Sequence, residues 1–209
     1  MNHLSPMNIR AYGPNSFVIP KKGEFIRAIG LMPDQIITKG SIRKAPTEGG
    51  VVVPDTEQDL IKIAVVERHH GTGNIRLGMV QRFGLRQGVL ASSVAHDSHN
   101  IISVGCNDRD IYGALKAVEK MGGGLAAVRN GEVLAELPLP IAELISHEPI
   151  RKVAHGWEEL TEASRNSGCP LKEPFMALSF LALPVIPELK ITDRGLVDVK
   201  EFRHVPLFV

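Results

Sequence analysis

Hydrophobic and polar positions along the chain fall into short blocks of two different periods. Phe25-Ile26-Arg27-Ala28-Ile29 and Gln35-Ile36-Ile37-Thr38 are β-branched runs separated by Met32-Pro33-Asp34, which predicts consecutive short strands. Residues 39 to 50 read as a polar loop leading to a short strand at Val51-Val52-Val53. Leu60-Ile61-Lys62-Ile63-Ala64-Val65-Val66 is apolar at every position but one, as in a strand buried on both faces. Val89 to Ala95 and Ile101 to Cys106 read as two further buried strands that pair or flank each other.

The period then changes. Ile111, Ala114, Leu115, Val118 and Met121 recur at helical spacing after Asn107-Asp108, whose side chains suit a helix N-terminus, and the pattern stops at Gly122-Gly123-Gly124. Leu125 to Val128 and Val133 to Leu137 flank Asn130-Gly131, the signature of a tight β-hairpin. Pro140 introduces an expected short helix at 141 to 145. Pro149 opens a longer one to about Ser167, with Ile150, Val153, Ala154, Trp157 and Leu160 on its core face. The ribbon from Pro174 to Pro187 is the most hydrophobic stretch. Pro184 and Pro187 break it, so it is expected to wedge between layers, with a partner surface as the alternative. Thr192 to Gly195 reads as a turn, and 197 to 199 and 205 to 209 as closing strands. The fold class is therefore α+β, with mixed sheets of short strands packed with a few helices. Residues 1 to 24, rich in Pro and Gly, read as a leader or linker, and 25 to 209 as the domain, divisible into sub-layers at about 25 to 137 and 138 to 209.

Composition narrows the function classes. The 209 residues are 44% hydrophobic, and 24 Lys and Arg against 23 Asp and Glu leave a formal net charge of +1, so no general attraction for nucleic acid or an anionic membrane is expected. No segment reaches the roughly 18 consecutive apolar residues of a membrane helix, and a cytoplasmic protein is expected. Cys106 and Cys169 lack metal-type spacing and read as free thiols.

The candidate chemistry lies in two polar stretches at strand ends: Glu67-Arg68-His69-His70 and His96-Asp97-Ser98-His99-Asn100. A metal or acid/base site suits His and Asp at converging loops, although His96 and His99 point together only if their tip is helical. Ser98 or Ser93 as a nucleophile lacks a Gly-x-Ser-x-Gly elbow. A purely structural turn remains open, because Asp, Ser and Asn bond their own backbone. Gly71-Thr72-Gly73-Asn74-Ile75-Arg76 begins like a dinucleotide fingerprint but has Arg76 at the third glycine position and reads as a turn.

Several long segments resemble the C-terminal domain of bacterial adenine deaminase, an amidohydrolase. They are Lys62 to His69, Ser92 to Asn100, Gly122 to Leu125, Leu137 to Ile141, Phe175 to Pro187 and Thr192 to Leu196, in order along the chain. Gln81-Arg82 and Glu143 depart from the family pattern and read as drift. The resemblance implies hydrolysis of adenine to hypoxanthine and ammonia in purine salvage, at a divalent manganese or iron centre held mainly by a (β/α)8 barrel. This sequence has no His-x-His pair and no room for a barrel of roughly 250 residues. The resemblance therefore implies a domain that lines the cleft of a fuller enzyme and is inactive alone. On that reading His96, Asp97 and His99 are catalytic candidates, Glu67, Arg68, His69, Ser98 and Asn100 are substrate-binding candidates, and no metal ligand is assigned. Its expected partners are the barrel domain in cis or trans, adenine and further copies in a homo-oligomer. The alternative is a non-catalytic module for oligomerisation or purine binding.

Overall fold

The computed structural model describes residues 7–32 and 34–209. Its elements in chain order are a 3-10 turn at Pro14–Phe17, then β1 (Ile19–Pro20), β2 (Phe25–Leu31), β3 (Thr38–Lys44), β4 (Thr47–Glu48), β5 (Val51–Val52), β6 (Leu60–Val66), β7 (Ile75–Gln81), β8 (Val89–Ser92) and β9 (Ile101–Gly105). Helix α1 (Asp108–Met121), the hairpin β10 (Gly124–Arg129) and β11 (Glu132–Pro138), helices α2 (Ile150–Asn166) and α3 (Pro174–Phe180), and β12 (Leu189–Thr192), β13 (Gly195–Asp198) and β14 (Arg203–Val205) complete it. The class is α+β with mixed sheets, as the periodicity predicts.

An eight-stranded sheet in the order β11-β10-β8-β9-β6-β7-β2-β3 forms the centre. Neighbours run antiparallel except β2 and β7, which are parallel. Strand β6 lies inside it, and alternation sends its residues to two cores. Ile61, Ile63 and Val65 join Leu160, Phe175, Leu178 and Ile191 under α2, α3 and β12. Ala64 and Val66 join Phe17, Ile111, Leu115 and Val118 under α1. Lys62 shares that second face and is 1% exposed; its Nζ donates to the Phe17 carbonyl at 2.8 Å and pairs with Asp108. The N-terminal stretch thus contributes a fully buried ring at Phe17 and the strand β1.

Two sequence expectations are corrected and one unassigned strand is added. Residues 39 to 44 are strand rather than loop, and 35 to 37 precede it: β3 is an edge strand of mostly polar residues, so pairing with β2 decides its structure and its composition conceals it. Strand β7 follows the glycine turn at once and was hidden by Gly78, where a Cβ would lie 3.2 Å from both Ile191 and Ile63. Residues 141 to 145 form no helix. Ala142 and Glu143 have φ of 53° and 57°, and Ile141 bridges Ile145. The helices at 108–121 and 150–166 and the Asn130-Gly131 hairpin stand where the sequence placed them. Asn107 caps α1 by accepting from Asp110 N.

Candidate functional site

The two polar stretches meet because β6 and β9 are antiparallel neighbours. Val66 pairs with Ile101, so the residues following one strand and preceding the other emerge on the same edge. The Arg68 amide donates to Asn100 Oδ1 at 3.3 Å, its Nε donates to the His99 carbonyl, and His69 Nε2 lies 2.6 Å from the Ser98 carbonyl. Both loops are therefore held as one unit.

Within that unit the eight candidates divide by what their polar atoms already do. Glu67, 4% exposed, accepts from the amides of His69, His70 and Thr72 and from the Thr72 hydroxyl. Burial alone would raise its carboxyl, but these four bonds favour the charged form and hold it down at about 2. Its oxygens are taken up in shaping the 67–72 turn. Arg68, also 4% exposed, pairs through Nη1 with Glu143, and Asn100 is 3% exposed against the Arg68 amide. Asp97 and Ser98 stand exposed at the loop tip.

His96 and His99 face each other with ring centroids 5.7 Å apart and planes at 75°. The His99 amide donates to the Ala95 carbonyl at 2.6 Å, and this turn, which is not helical because His99 takes φ 49°, brings the pair together without the helical tip that the i, i+3 spacing was expected to need. Helix α3 fixes the other end: the His96 amide donates to Ser179 O at 3.2 Å, and its ring lies 4.9 Å from that of Phe180. Burial, followed by the nearby His96 and Arg68, pushes the His99 imidazole below its ordinary value, with Asp97 opposing. Its Nδ1 is buried without a hydrogen-bond partner. A neutral ring with a free nitrogen near neutrality can accept a proton.

Three participants were not singled out as site residues. Glu143 stands 75 residues from Arg68 in sequence and was read as drift; it is the counter-ion of a buried guanidinium. Gly123, at φ 106°, lets the chain there approach, since a Cβ at that position would lie 2.4 Å from Glu143 Cα. Phe180 belongs to the ribbon that the sequence assigned to packing. Ser93 is no nucleophile in this arrangement: its Oγ donates to Glu143 O and accepts from Gly124 N at 2.8 Å. The glycine turn carries no phosphate cradle either, because Asn8 and Arg10 pack onto Gly71 and Gly73, and β7 rather than a helix follows.

Among the described residues no group of three or more His, Cys, Asp and Glu side chains is placed to hold a metal ion. No helix among them is long and apolar enough to cross a membrane. The role of Glu67 is open to a direct check: Glu67→Ala is expected to cost about 2 kcal/mol and to speed hydrogen exchange at the amides of His69, His70 and Thr72 before the rest of the sheet. Unchanged exchange at those three amides would show that the turn does not depend on the carboxylate.

A family model described as adenine deaminase C-terminal domain matches residues 35–203. Curated relatives called adenine deaminase show the same likeness. The one from Dehalococcoides mccartyi is 48% identical over 203 residues, 97% of this chain and 36% of its own length. Those from Methanothrix thermoacetophila and Desulfatibacillum aliphaticivorans are 50% and 52% identical over 204 residues, again with 36% of their length covered. The chain therefore spans about a third of the curated relatives it matches.

Proposed function

This chain belongs to the adenine deaminase C-terminal domain family, and from that premise we propose that it forms one wall of the cleft in which a fuller enzyme hydrolyses adenine to hypoxanthine and ammonia. The observation that carries the reading is the meeting of the 67–70 and 96–100 loops around His96 and His99, whose rings lie 5.7 Å apart. Hydrolytic deamination needs an activated water, a group that moves a proton to the ring and the leaving amine, and contacts for the purine edge. The divalent metal associated with the family would activate the water. Among the described residues this chain's side chains do not assemble a centre for it.

What the chain offers is the remainder. His99, kept neutral and with Nδ1 free, is the candidate proton acceptor, while His96 and exposed Asp97 are candidates to hold or pass a proton beside it. His69 and Ser98 at the loop tips are candidate contacts for the purine edge. Glu67, Arg68 and Asn100 act through these side chains by fixing the loops on which they stand. The portion of the longer relatives that this chain does not cover, which the proposal takes to be a catalytic barrel, is the proposed partner, in cis or trans, within a cytoplasmic purine-salvage enzyme. Assembly as a homo-oligomer belongs to the same proposal.

Purified alone with manganese or iron and adenine, the chain is expected to release no ammonia. Combined with the portion of a longer relative that precedes this domain, it is expected to restore release, and His99→Ala is expected to lower the restored rate by about a hundredfold, the usual order for a general acid or base. Metal-dependent ammonia release by the isolated chain, abolished in His96→Ala, would overturn the proposal. A restored rate that His96→Ala and His99→Ala both leave unchanged would also count against it. Sedimentation with a purine titration separates a cleft from an assembly module, since a tight oligomer without purine affinity fits only the latter.

A further inference from the structure

The Arg68 guanidinium is held at two of its nitrogens, and the two partners come from different loops. Nη1 pairs with the Glu143 carboxylate, and Nε donates to the His99 carbonyl. A guanidinium is a rigid planar fork, so a carboxylate that fixes Nη1 also fixes where Nε donates. The side chains of Arg68 and Glu143 are 3% and 13% exposed, and little water competes for the pair.

His99 depends on such support. It stands at φ 49°, in the left-handed region that a side chain makes costly, with its amide on the Ala95 carbonyl and its own carbonyl on Arg68. Glu143 is fixed in turn. At φ 57° it lies against Gly123, and its carbonyl accepts from Ser93 Oγ at 2.5 Å. Stretches far apart in sequence thus meet in one line, from Ser93 and Gly123 through Glu143 and Arg68 to His99.

We propose that Glu143 is a positioning residue for His99: it holds the Arg68 guanidinium so that the His99 carbonyl, and with it the ring whose Nδ1 is free, stays beside His96. Its value to catalysis rests on the reading of His99 as a proton acceptor. The positioning itself does not.

Loss of the Glu143 carboxylate could act on His99 in two opposite ways, and their costs decide between them. If the guanidinium stayed, its uncompensated charge would push the His99 imidazole further below its ordinary value. Breaking a buried pair at one end strands the other charge, which is the costlier state. Both loops stand at the open ends of β6 and β9, with Asp97 and Ser98 exposed, so the guanidinium turns out to water instead. His99 is then released. Burial, the largest cause of its low proton affinity, is relieved together with the Arg68 charge, and the imidazole moves up toward its ordinary value. The other charged or titratable groups around His99 are His96, Asp97 and His69. Ser179 and Phe180 of α3, which meet His96, carry no charge.

The test is an NMR pH titration of the imidazoles in the whole chain, with the contact between the His96 and His99 rings as a second readout. Glu143→Gln removes the charge at equal length. Glu143→Gly removes the side chain at a backbone angle that glycine adopts freely. Both are expected to raise the His99 midpoint and to abolish the ring contact. In an Arg68→Met background, Glu143→Gln is expected to change neither, because Glu143 acts through the guanidinium. A His99 midpoint that stays put or falls in both variants, or an effect of Glu143→Gln that persists in the Arg68→Met background, would overturn the proposal. Amide signals of β6 and β9 report folding, and Glu143→Gly carries the test should Glu143→Gln not fold. Neither readout involves adenine or ammonia. A His99 that responds as expected, while His99→Ala leaves the restored rate unchanged, would end the deaminase reading and leave the positioning standing.

Discussion

Asp108→Ala is expected to destabilise the protein by about 3 kcal/mol, because removing one partner of a buried ion pair strands the other charge. Lys62 is 1% exposed in the middle of the large sheet, and its only charged neighbour in the ion pair is Asp108, itself 31% exposed at the start of α1. Burial lowers the affinity of Lys62 for its proton, and the bond to Asp108 restores part of it. Without Asp108 the lysine either stays charged in an apolar layer or gives up its proton. The second route sets a ceiling of about 5 kcal/mol at pH 7, the cost of deprotonating an ordinary lysine there. For a chain of this size the expected loss corresponds to a fall in melting temperature of roughly 6 to 12 °C.

The partner substitution behaves differently. Lys62→Met returns Asp108 toward solvent and leaves an apolar chain among Ala64, Val66 and Phe17, so its cost is expected to stay near 1 kcal/mol, mainly the lost bond to the Phe17 carbonyl. The double variant should match Lys62→Met within a few tenths of a kcal/mol. Denaturant unfolding of the four proteins measures the cycle. If Asp108→Ala cost no more than Lys62→Met, the buried lysine would not need its counter-ion.

The contrast between Lys62 and a second buried lysine, Lys190, also marks where the sequence was legible. Lys62 interrupts an otherwise apolar run, and strand alternation is enough to predict that it shares a face with Ala64 and Val66. Lys190 lies in Leu-Lys-Ile-Thr, a stretch to which the pattern assigns no element; only the packing of β12 beneath α3 and beside the 31–38 segment buries it. The helices at 108–121 and 150–166 were legible because an apolar stripe and end signals agree within each segment. Strand β3 was not, since its residues Thr-Lys-Gly-Ser-Ile-Arg-Lys are strand only by virtue of pairing with β2.

The candidate site follows the same rule. The polarity of 67–70 and 96–100 at the ends of apolar runs announced both loops, and antiparallel pairing of β6 with β9 joins them. Roles within the loops were not legible, because they depend on which oxygen meets which amide. Glu67 reads as a substrate-binding candidate in sequence and acts as the brace of a turn. Glu143 looks like a helix residue after Pro140, yet it sits at φ 57°, against Gly123, where its carboxylate meets Arg68. Tertiary contact overrides helix propensity there, and no local pattern records a pair separated by 75 residues.

Lys190→Met is expected to change the pH dependence of stability by about 3 kcal/mol between pH 7 and pH 10.5. Burial pulls the Lys190 ammonium down to about 8 from 10.5. Between those values the unfolded chain holds a proton that the folded chain has lost, so raising the pH favours the folded state of the wild-type protein through this group. Below pH 8 both states are protonated and the full cost of burying the charge is present. Above pH 10.5 neither is, and the cost is gone. The thiols of Cys106 and Cys169, which burial pushes up to about 12 and about 11, act in the opposite direction over the alkaline range. They are common to both proteins and cancel in the comparison. The bonds that Lys190 Nζ donates to the Ile36 and Phe180 carbonyls are lost in the variant at every pH, so they offset the two curves without altering their relative slope. The measurable quantity is the difference in unfolding free energy, wild type minus Lys190→Met, followed from pH 7 to 10.5 by urea titration. It should rise by about 3 kcal/mol in favour of the wild type, and a difference that stays flat would mean that burial does not perturb Lys190.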